Sequence, residues 1–384
     1  MTEMTMNCDL GFNERRILDL LRSRGPMSRA DLARMTALTT PSLTRLAQTL
    51  SDNQLLLELH KVRDGQRGKP AQLIKLNPDG AFAVGIAVQS EYLSACIIDF
   101  EGQPRATVTH NLAEADPDVV ATLSANMLDQ LLSDAGVSRK RVLGAGICMP
   151  GTAMGEYGTG LKLASKHSFP AEYSAWLPLD ISKHFEQALA LPCWLENSSK
   201  ASALADMYFG AGQRLRNFAV IHIEYGIGGG LILERRHYRG TLGRAAEFGG
   251  LYPYDKPRPS GRDLLLFLAG RMSKPPKLIR DLTQTHLPDL LIAEWVERVG
   301  PQLLELSRYL SVALDIEAIV FNGLLPLPVF IHIARMLREQ LPRNMPPGLS
   351  VPEIIVSQHA KSGLELGAAS LPLHFMTSAA SHKA

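Results

Sequence analysis

The chain has 384 residues, too many for one ordinary domain, and 46% of them are hydrophobic, which excludes a disordered polymer. No stretch near 18 residues is free of charges and turn residues, which excludes a helical membrane span, and the N-terminus lacks the apolar core of a signal peptide. The net charge of +2 is unevenly placed: residues 1–76 hold twelve Lys and Arg against eight Asp and Glu, and the remainder is slightly acidic, a distribution that suits a phosphate-binding head. Four cysteines, Cys8, Cys96, Cys148 and Cys193, are scattered with no C-x-x-C pair. That argues against a thiolate zinc site and fits a reducing cytoplasm, the expected location.

Taken from the N-terminus, NERRILDLLRSR (13–24) places Ile17, Leu18, Leu20 and Leu21 on one helical stripe that Gly25-Pro26 ends. Ser28 reads as the cap of a second helix, with Asp31 three residues on. Thr40 reads as the cap of a third, with Pro41 at its first position and Leu43, Leu46, Ala47 and Leu50 at core spacing. LLLELHKV and AQLIKLN read as two strands around the polar turn RDGQRGKP. Three short helices followed by a hairpin describe a winged helix-turn-helix. Asn77-Pro78-Asp79-Gly80 then marks a boundary.

Beyond it, AFAVGIAV, LSACIIDF, RVLGAGICMPG and PCWLE read as strands, with helices near 116–134 and 181–189. A helix at SSKASALADMYFG precedes the strand FAVIHIEYG and a glycine-rich turn. From about Gly261 the chain is mostly helical, apart from AIVFNG and EIIVSQ. Alternating strands and helices indicate an α/β body, and its opening pattern recurs loosely around Phe218, a hint of two related halves.

In a helix-turn-helix the second helix of the pair enters the major groove, which puts Thr39, Thr40, Ser42, Thr44 and Arg45 outward near its start. Short hydroxyls suit phosphate or base contacts, and Arg45 suits guanine edges or phosphate. Arg63, Arg67 and Lys69 sit among Gly65, Gly68 and Pro70 at the wing tip, an order suited to a narrow, negative minor groove. The alternatives are a solvated helix face and an ordinary charged hairpin tip; the two helices and the wing together favour DNA.

The order and spacing of DGQRGKP (64–70), GICMPG (146–151), ENSSKASALAD (196–206), EYGIGGGLIL (224–233) and GRAAEFGG (243–250) resemble the ROK family, which unites bacterial sugar kinases with sugar-responsive transcription factors. The resemblance spans nearly the whole chain. It implies a winged helix-turn-helix (1–76) followed by a two-lobed, actin-like/ribonuclease H-like sugar-kinase fold, with lobes at 77–195 and 196–384. It also shows what this chain lacks. The first phosphate turn reads Ala87-Val88-Gln89-Ser90-Glu91, without the glycines, and Glu91 repels phosphate. The retained glycines Gly226, Gly228, Gly229 and Gly230 read as a tight turn at positive φ. Ser198 stands where the kinases carry the carboxylate base. Asn197 and Glu247 match sugar-holding positions and can still hydrogen-bond hydroxyls; a helix cap or a structural polar contact is the alternative. Gly250 replaces a histidine, and the loop after it has neither cysteine nor histidine for the zinc many family members bind.

The expectation is a non-enzymatic, sequence-specific repressor without cofactor or metal. It binds double-stranded DNA at a palindromic operator as a homodimer or tetramer, away from membranes, and answers to a sugar effector. The alternatives are a related regulator controlled by a protein partner or by no small molecule, and a sugar kinase with an accessory head.

Overall fold

The structure, a computed structural model, describes residues 10–59, 72–89, 91–154, 160–162, 171–253, 255–357 and 363–381. Contacts divide the chain into two compact units. The first comprises Met1–Lys162, Pro170–Glu196 and Ala368–Ala384; the second comprises Leu163–Phe169 and Asn197–Gly367.

The first unit opens with α1 (Phe12–Arg24), which buries Ile17, Leu18 and Leu21 along one stripe. Gly25 ends it at φ 77°, a conformation that costs glycine least. A two-residue strand, β1 (Met27–Ser28), leads into α2 (Arg29–Thr36). Ser28 caps α2 as its spacing predicts, its Oγ accepting from Asp31 N at 3.1 Å. The same hydroxyl donates to the Asp31 carboxylate at 2.7 Å, and that bond, aided by Arg34, holds the carboxyl below its ordinary range. The third helix, α3 (Thr40–Asp52), starts one residue earlier than its sequence suggests. Its cap is Thr39, whose extended backbone lets Oγ1 accept from Ser42 N, so Thr40 lies inside the first turn beside Pro41. Strands β2 (Leu56–Leu59) and β3 (Leu73–Leu76) pair antiparallel in a sheet of order β1-β3-β2, which completes a winged helix-turn-helix. The wing tip, with Arg63, Arg67 and Lys69, lies outside the described residues.

The boundary at 77–80 is a tightly docked turn. Asn77 Nδ2 donates to Gln54 O at 2.7 Å, and Arg141 Nη1 donates to Gly80 O at 3.0 Å. Beyond it run β4 (Phe82–Val88), β5 (Tyr92–Asp99), β6 (Pro104–Asn111), α4 (Pro117–Ala135), β7 (Val142–Met149), the hairpin β8 (Thr152–Met154) and β9 (Gly160–Lys162), α5 (Ile181–Leu189) and β10 (Cys193–Asn197). The sheet order is β10-β7-β4-β5-β6, with β4 and β7 buried along their whole length. Strand β6 has no clear signature in the sequence because it is an edge strand, half-burying only Ala106 and Val108.

The second unit contains α6 (Ser198–Phe209), β11 (Phe218–Ile223), β12 (Ile227–Leu233), β13 (Arg236–Tyr238), α7 (Gly261–Ala269), α8 (Ile279–Gln284), α9 (Asp289–Leu314), β14 (Ala318–Gly323), α10 (Leu327–Asn344) and β15 (Glu353–Val356), and α11 (Gly363–Thr377) begins there. Its sheet order, β13-β12-β11-β14-β15, repeats that of the first unit strand for strand. In both, the first strand pairs antiparallel with the second and parallel with the fourth. The loose recurrence around Phe218 is therefore a repeat of topology.

The glycine run corrects an expectation. Gly228, Gly229 and Gly230 lie within β12, and neither they nor Gly226 adopt positive φ. Close approach is what demands them. A Cβ at Gly228 would sit 2.4 Å from Ser199 Oγ, one at Gly230 2.4 Å from Ala203 Cβ, and one at Gly229 2.3 Å from the Phe248 ring. Helix α6 and Phe248 thus pack directly on bare backbone. Gly323 is the position that does need positive φ, 134°, and a Cβ there would meet Ile223 O at 1.9 Å.

The helix after each fifth strand packs in the other unit. Helix α6 follows β10 but lies on β12 in the second unit. Helix α11 follows β15, yet from Ala368 onward it belongs to the first unit, where Ala368 O lies 1.9 Å from where Gly146 would carry a Cβ. The sequence-based boundary, by contrast, puts the C-terminal helices wholly in the 196–384 lobe. Residues 375–381 then clasp α1. Arg15 Nη1 donates to Phe375 O at 2.9 Å, Asp19 Oδ2 accepts from Ala379 N at 2.9 Å and from Ser378 Oγ at 3.1 Å, and Arg22 Nη2 donates to Thr377 Oγ1 at 3.3 Å. Arg22 also lies over the Phe100 ring, 5.2 Å from its centroid.

Two outcomes are expected. Gly230→Val should destabilise the protein by about 1–3 kcal/mol in urea unfolding, because the added methyls collide with Ala203; unchanged stability would mean that α6 lies farther from β12. Asp19→Ala should cost about 1–3 kcal/mol and raise hydrogen exchange at the amide of Ala379, the donor it leaves unpaired.

Candidate nucleic-acid interface and ligand site

The outward face of α3 carries Thr39, Thr40, Pro41, Thr44, Arg45, Gln48 and Thr49, all exposed, with Ser42 half-buried at its edge. The core stripe Leu43, Ala47 and Leu50 sets that orientation. Four hydroxyls are already organised: Thr39 Oγ1 donates to Ser42 Oγ at 3.0 Å, Thr44 Oγ1 to Thr40 O at 2.9 Å and Thr49 Oγ1 to Arg45 O at 3.2 Å. Each keeps lone pairs for an incoming donor. The cations of the head differ in availability. Arg29 pairs with Glu58, and Arg34 pairs with Asp31 at 2.7 Å. Arg45 has no hydrogen bond or ion pair among the described residues, so its guanidinium is free to engage a base edge or a phosphate. The motif alone does not point to Gln48 and Thr49. Gln48 lies four residues past Thr44 on the same face, so helical spacing is the signal that finds it; its Nε2 donates to Asp52 Oδ1 at 2.7 Å.

In the second unit, Asn197 and Glu247 converge through Lys200, a residue that the sequence motifs do not single out. Asn197 caps α6, its Oδ1 accepting from Ser199 N at 2.9 Å and Lys200 N at 3.4 Å. One turn in, Lys200 Nζ donates to Glu247 Oε1 at 2.6 Å. The cap expectation for Asn197 is thus realised, and Glu247 takes part in a salt bridge. In the sequence Lys200 reads as an ordinary helical lysine, and no local signal marks it. Glu247 is presented by a short turn over 248–251, held from two sides: Phe248 packs on Gly229, and Arg258 Nη2 donates to Gly249 O at 3.1 Å. Around Gly250 there is open space, with no atom within 4 Å of the position a Cβ would take. Ser198, where a kinase would need its base, is buried and its Oγ has no hydrogen-bond partner among the described residues.

A second polar cluster joins the carboxyl ends of β11, β14 and β15. Ser357 Oγ donates to Asp206 Oδ1 at 2.7 Å, and Asn322 Nδ2 donates to Asp206 Oδ2 at 2.6 Å. That leaves Asn322 Oδ1 to accept from His222 Nδ1 at 2.8 Å, which sets the imidazole tautomer and turns Nε2 toward Glu224, 3.5 Å away. The cavity beside this cluster has a volume of about 20 Å³, room for one water.

The residues do not fit the zinc that the resemblance implies. Where the loop after Gly250 would need thiolate or imidazole ligands, Arg258 and Asp263 hold it instead: Asp263 accepts from Arg258 N, from Trp295 Nε1 at 2.9 Å and from Arg298 Nη2 at 3.3 Å. Nor are the first amides of α7 open to a phosphate, since Gly261 N donates to Glu224 O at 2.7 Å and Arg262 N to Tyr225 O at 3.1 Å. No helix among the described residues is long and apolar enough to cross a membrane.

Comparison with known proteins accords with this architecture. The ROK family profile matches residues 83–261. An uncharacterised protein of Sinorhizobium fredii, y4fQ, is 32% identical over 321 residues, covering 83% of this chain and 79% of its own. The xylose repressor of Bacillus spizizenii is 26% identical over 237 residues, 62% of this chain and 59% of the repressor. Among solved structures, one described as a ROK family transcriptional regulator, homolog of the E. coli MLC protein, superposes over 96% of this chain and 97% of its own, with a TM-score of 0.72 at 20% identity, a likeness of fold. Motif order, the paired α/β sheets behind a winged head, and similarity across most of two full chains agree: the chain belongs to the ROK family.

Proposed function

We propose that this protein is a sequence-specific DNA-binding transcriptional repressor whose ROK body reports a sugar-type effector to the head. The observation that carries the reading is α3: a hydroxyl-lined face whose Arg45 is unpaired among the described residues, on a winged helix-turn-helix, in a chain similar to xylose repressors. A two-fold dimer would set two such helices into successive major grooves of a palindrome, with Arg63, Arg67 and Lys69 of each wing alongside in the minor groove. The clasp of residues 375–381 on α1 supports coupling, because α11 begins in the unit that contains Asn197 and Glu247 and ends on the head. Sugar phosphorylation is disfavoured: Ser198 is no base without a partner, and the amides opening α7 are already spent. The Lys200 bond to Glu247 favours one alternative, a regulator that needs no small molecule, since an internal cation already occupies one carboxylate oxygen.

Selection of bound fragments from sheared genomic DNA, followed by fluorescence anisotropy at physiological salt, tests the DNA reading. The selected duplex should bind at least ~1000-fold more tightly than an unrelated one, and Arg45→Ala should weaken it about 5- to 150-fold, the worth of one bidentate base contact. Equal, weak binding to every duplex would refute the repressor reading. For the ligand, thermal unfolding against a panel of pentoses, hexoses and amino sugars should show one that raises Tm, and Glu247→Ala should abolish the rise. A flat panel favours the regulator without a small molecule.

A further inference from the structure

Resting on the reading of α3 as the helix that enters the major groove, we propose that Gln48 reads an adenine there and that Asp52 holds its amide in the reading orientation. Gln48 lies on the exposed face of α3, three residues past Arg45, and Asp52 ends the helix four residues further on. Gln48 Nε2 donates to Asp52 Oδ1 at 2.7 Å. An ionised carboxylate only accepts, so this bond turns the nitrogen of the amide toward the C-terminal end of α3. It leaves Oε1 and one hydrogen of Nε2 unspent among the described residues.

An acceptor beside a donor matches one base edge in the major groove. Adenine offers its N6 amino donor beside the N7 acceptor, whereas guanine offers two acceptors, cytosine a lone donor, and thymine an acceptor beside a methyl group. Against guanine, the Gln48 oxygen would meet another acceptor. The neighbouring hydroxyls cannot replace the amide. Thr44 and Thr49 have given their protons to Thr40 O and Arg45 O, at 2.9 and 3.2 Å, so they present lone pairs and methyl groups but no donor for N7 or for a phosphate. Along the middle of the face the donors left are the guanidinium of Arg45 and the amide of Gln48. Three residues span about 4.5 Å of helix axis against about 3.4 Å per base pair, so the adenine lies within about two base pairs of the Arg45 contact.

The place of Asp52 is a second observation. It closes α3, where the helix dipole disfavours an acid, and a phosphate repels a carboxylate on a helix that enters the groove. Among the described residues its side chain makes one hydrogen bond, the one from Gln48. Neither helix stability nor attraction to phosphate calls for an acid there, whereas orientation of the amide does. A free glutamine samples many rotamers, and fixing the side chain before DNA arrives removes part of the ordering cost of the contact. Asp52 is a positioning residue on this account: it touches Gln48, and Gln48 touches the base.

The test uses the full-length protein and the duplex selected from genomic fragments, with every base pair replaced in turn by the other three and affinity read by fluorescence anisotropy at physiological salt. At one A·T pair in each half-site the protein should prefer adenine by about 5- to 150-fold, and Gln48→Ala should flatten that preference while discrimination at the other pairs persists. Asp52→Ala should lower the same preference at least ~3-fold and, with a negative charge removed, should bind unrelated DNA more tightly. Asp52→Glu, which keeps a carboxylate within reach of Nε2, should restore most of the preference, whereas a merely structural role for Asp52 would weaken binding at all pairs alike. Both side chains are exposed, so the variants should unfold at the urea midpoint of the parent, which separates a reading defect from a folding defect. Uniform weakening by Gln48→Ala, or an unchanged preference in Asp52→Ala, overturns the inference and leaves the repressor reading standing. A selection that yields no preferred duplex overturns both.

Discussion

Helix α6 lies so close to β12 that Gly228 and Gly230 have no room for a side chain, and Phe248 leaves none for Gly229 between them. Much of the second unit follows from this absence of atoms. With the helix seated on backbone, Lys200 is carried into the interior, where only a carboxylate makes it tolerable, and Glu247 supplies one. On the opposite face of the same strand, the Phe248 ring fills the space that Gly229 leaves, and that ring anchors the turn presenting Glu247. A glycine run that in a kinase would be read as a phosphate loop serves here as a packing surface that sets the geometry of the candidate ligand site.

The same close-packing device recurs at α11. A Cβ at Gly367 would lie 3.0 Å from the backbone of Ala201 and Ser202, and Gly146 meets Ala368 more closely still. One helix thus begins against the helix that holds Asn197 and Lys200 and ends in the segment that clasps α1 through Arg15, Asp19 and Arg22. A close-packed helix has few intermediate positions, since small displacements meet backbone rather than flexible side chains. That stiffness suits the proposed coupling of effector to DNA, where a ligand need only favour one arrangement by a few kcal/mol.

Electrostatics separates the cations of the head by use. Arg15 and Arg22 are turned inward to the C-terminal segment, Arg29 and Arg34 are neutralised by Glu58 and Asp31, and Arg45 alone on the face of α3 stands without a partner among the described residues.

Local chemistry is legible in the sequence. Ser28 before Asp31, the leucine stripes of α1 and α3, the glycine after α1 and the apolar runs of β4, β5, β7 and β11 encode their own elements, because caps, periodicity and burial act over a few residues. The winged head, the two α/β halves and the outward placement of Thr40, Thr44 and Arg45 follow on that basis. What needed the tertiary structure was every property set by a distant partner. The edge strand β6 lacks an apolar signature because only one of its faces meets the core. The φ of a glycine cannot be told from its surroundings in the chain, so residues 228–230 look like a turn when Ser199, Ala203 and Phe248 are the reason for them. Lys200 resembles a surface lysine until α6 is laid on β12, and only then does Glu247, 47 residues away, become its counter-ion. Patterns of period two and 3.6 are written along the chain; the approach of two backbones is not, because it depends on atoms that a third element leaves out.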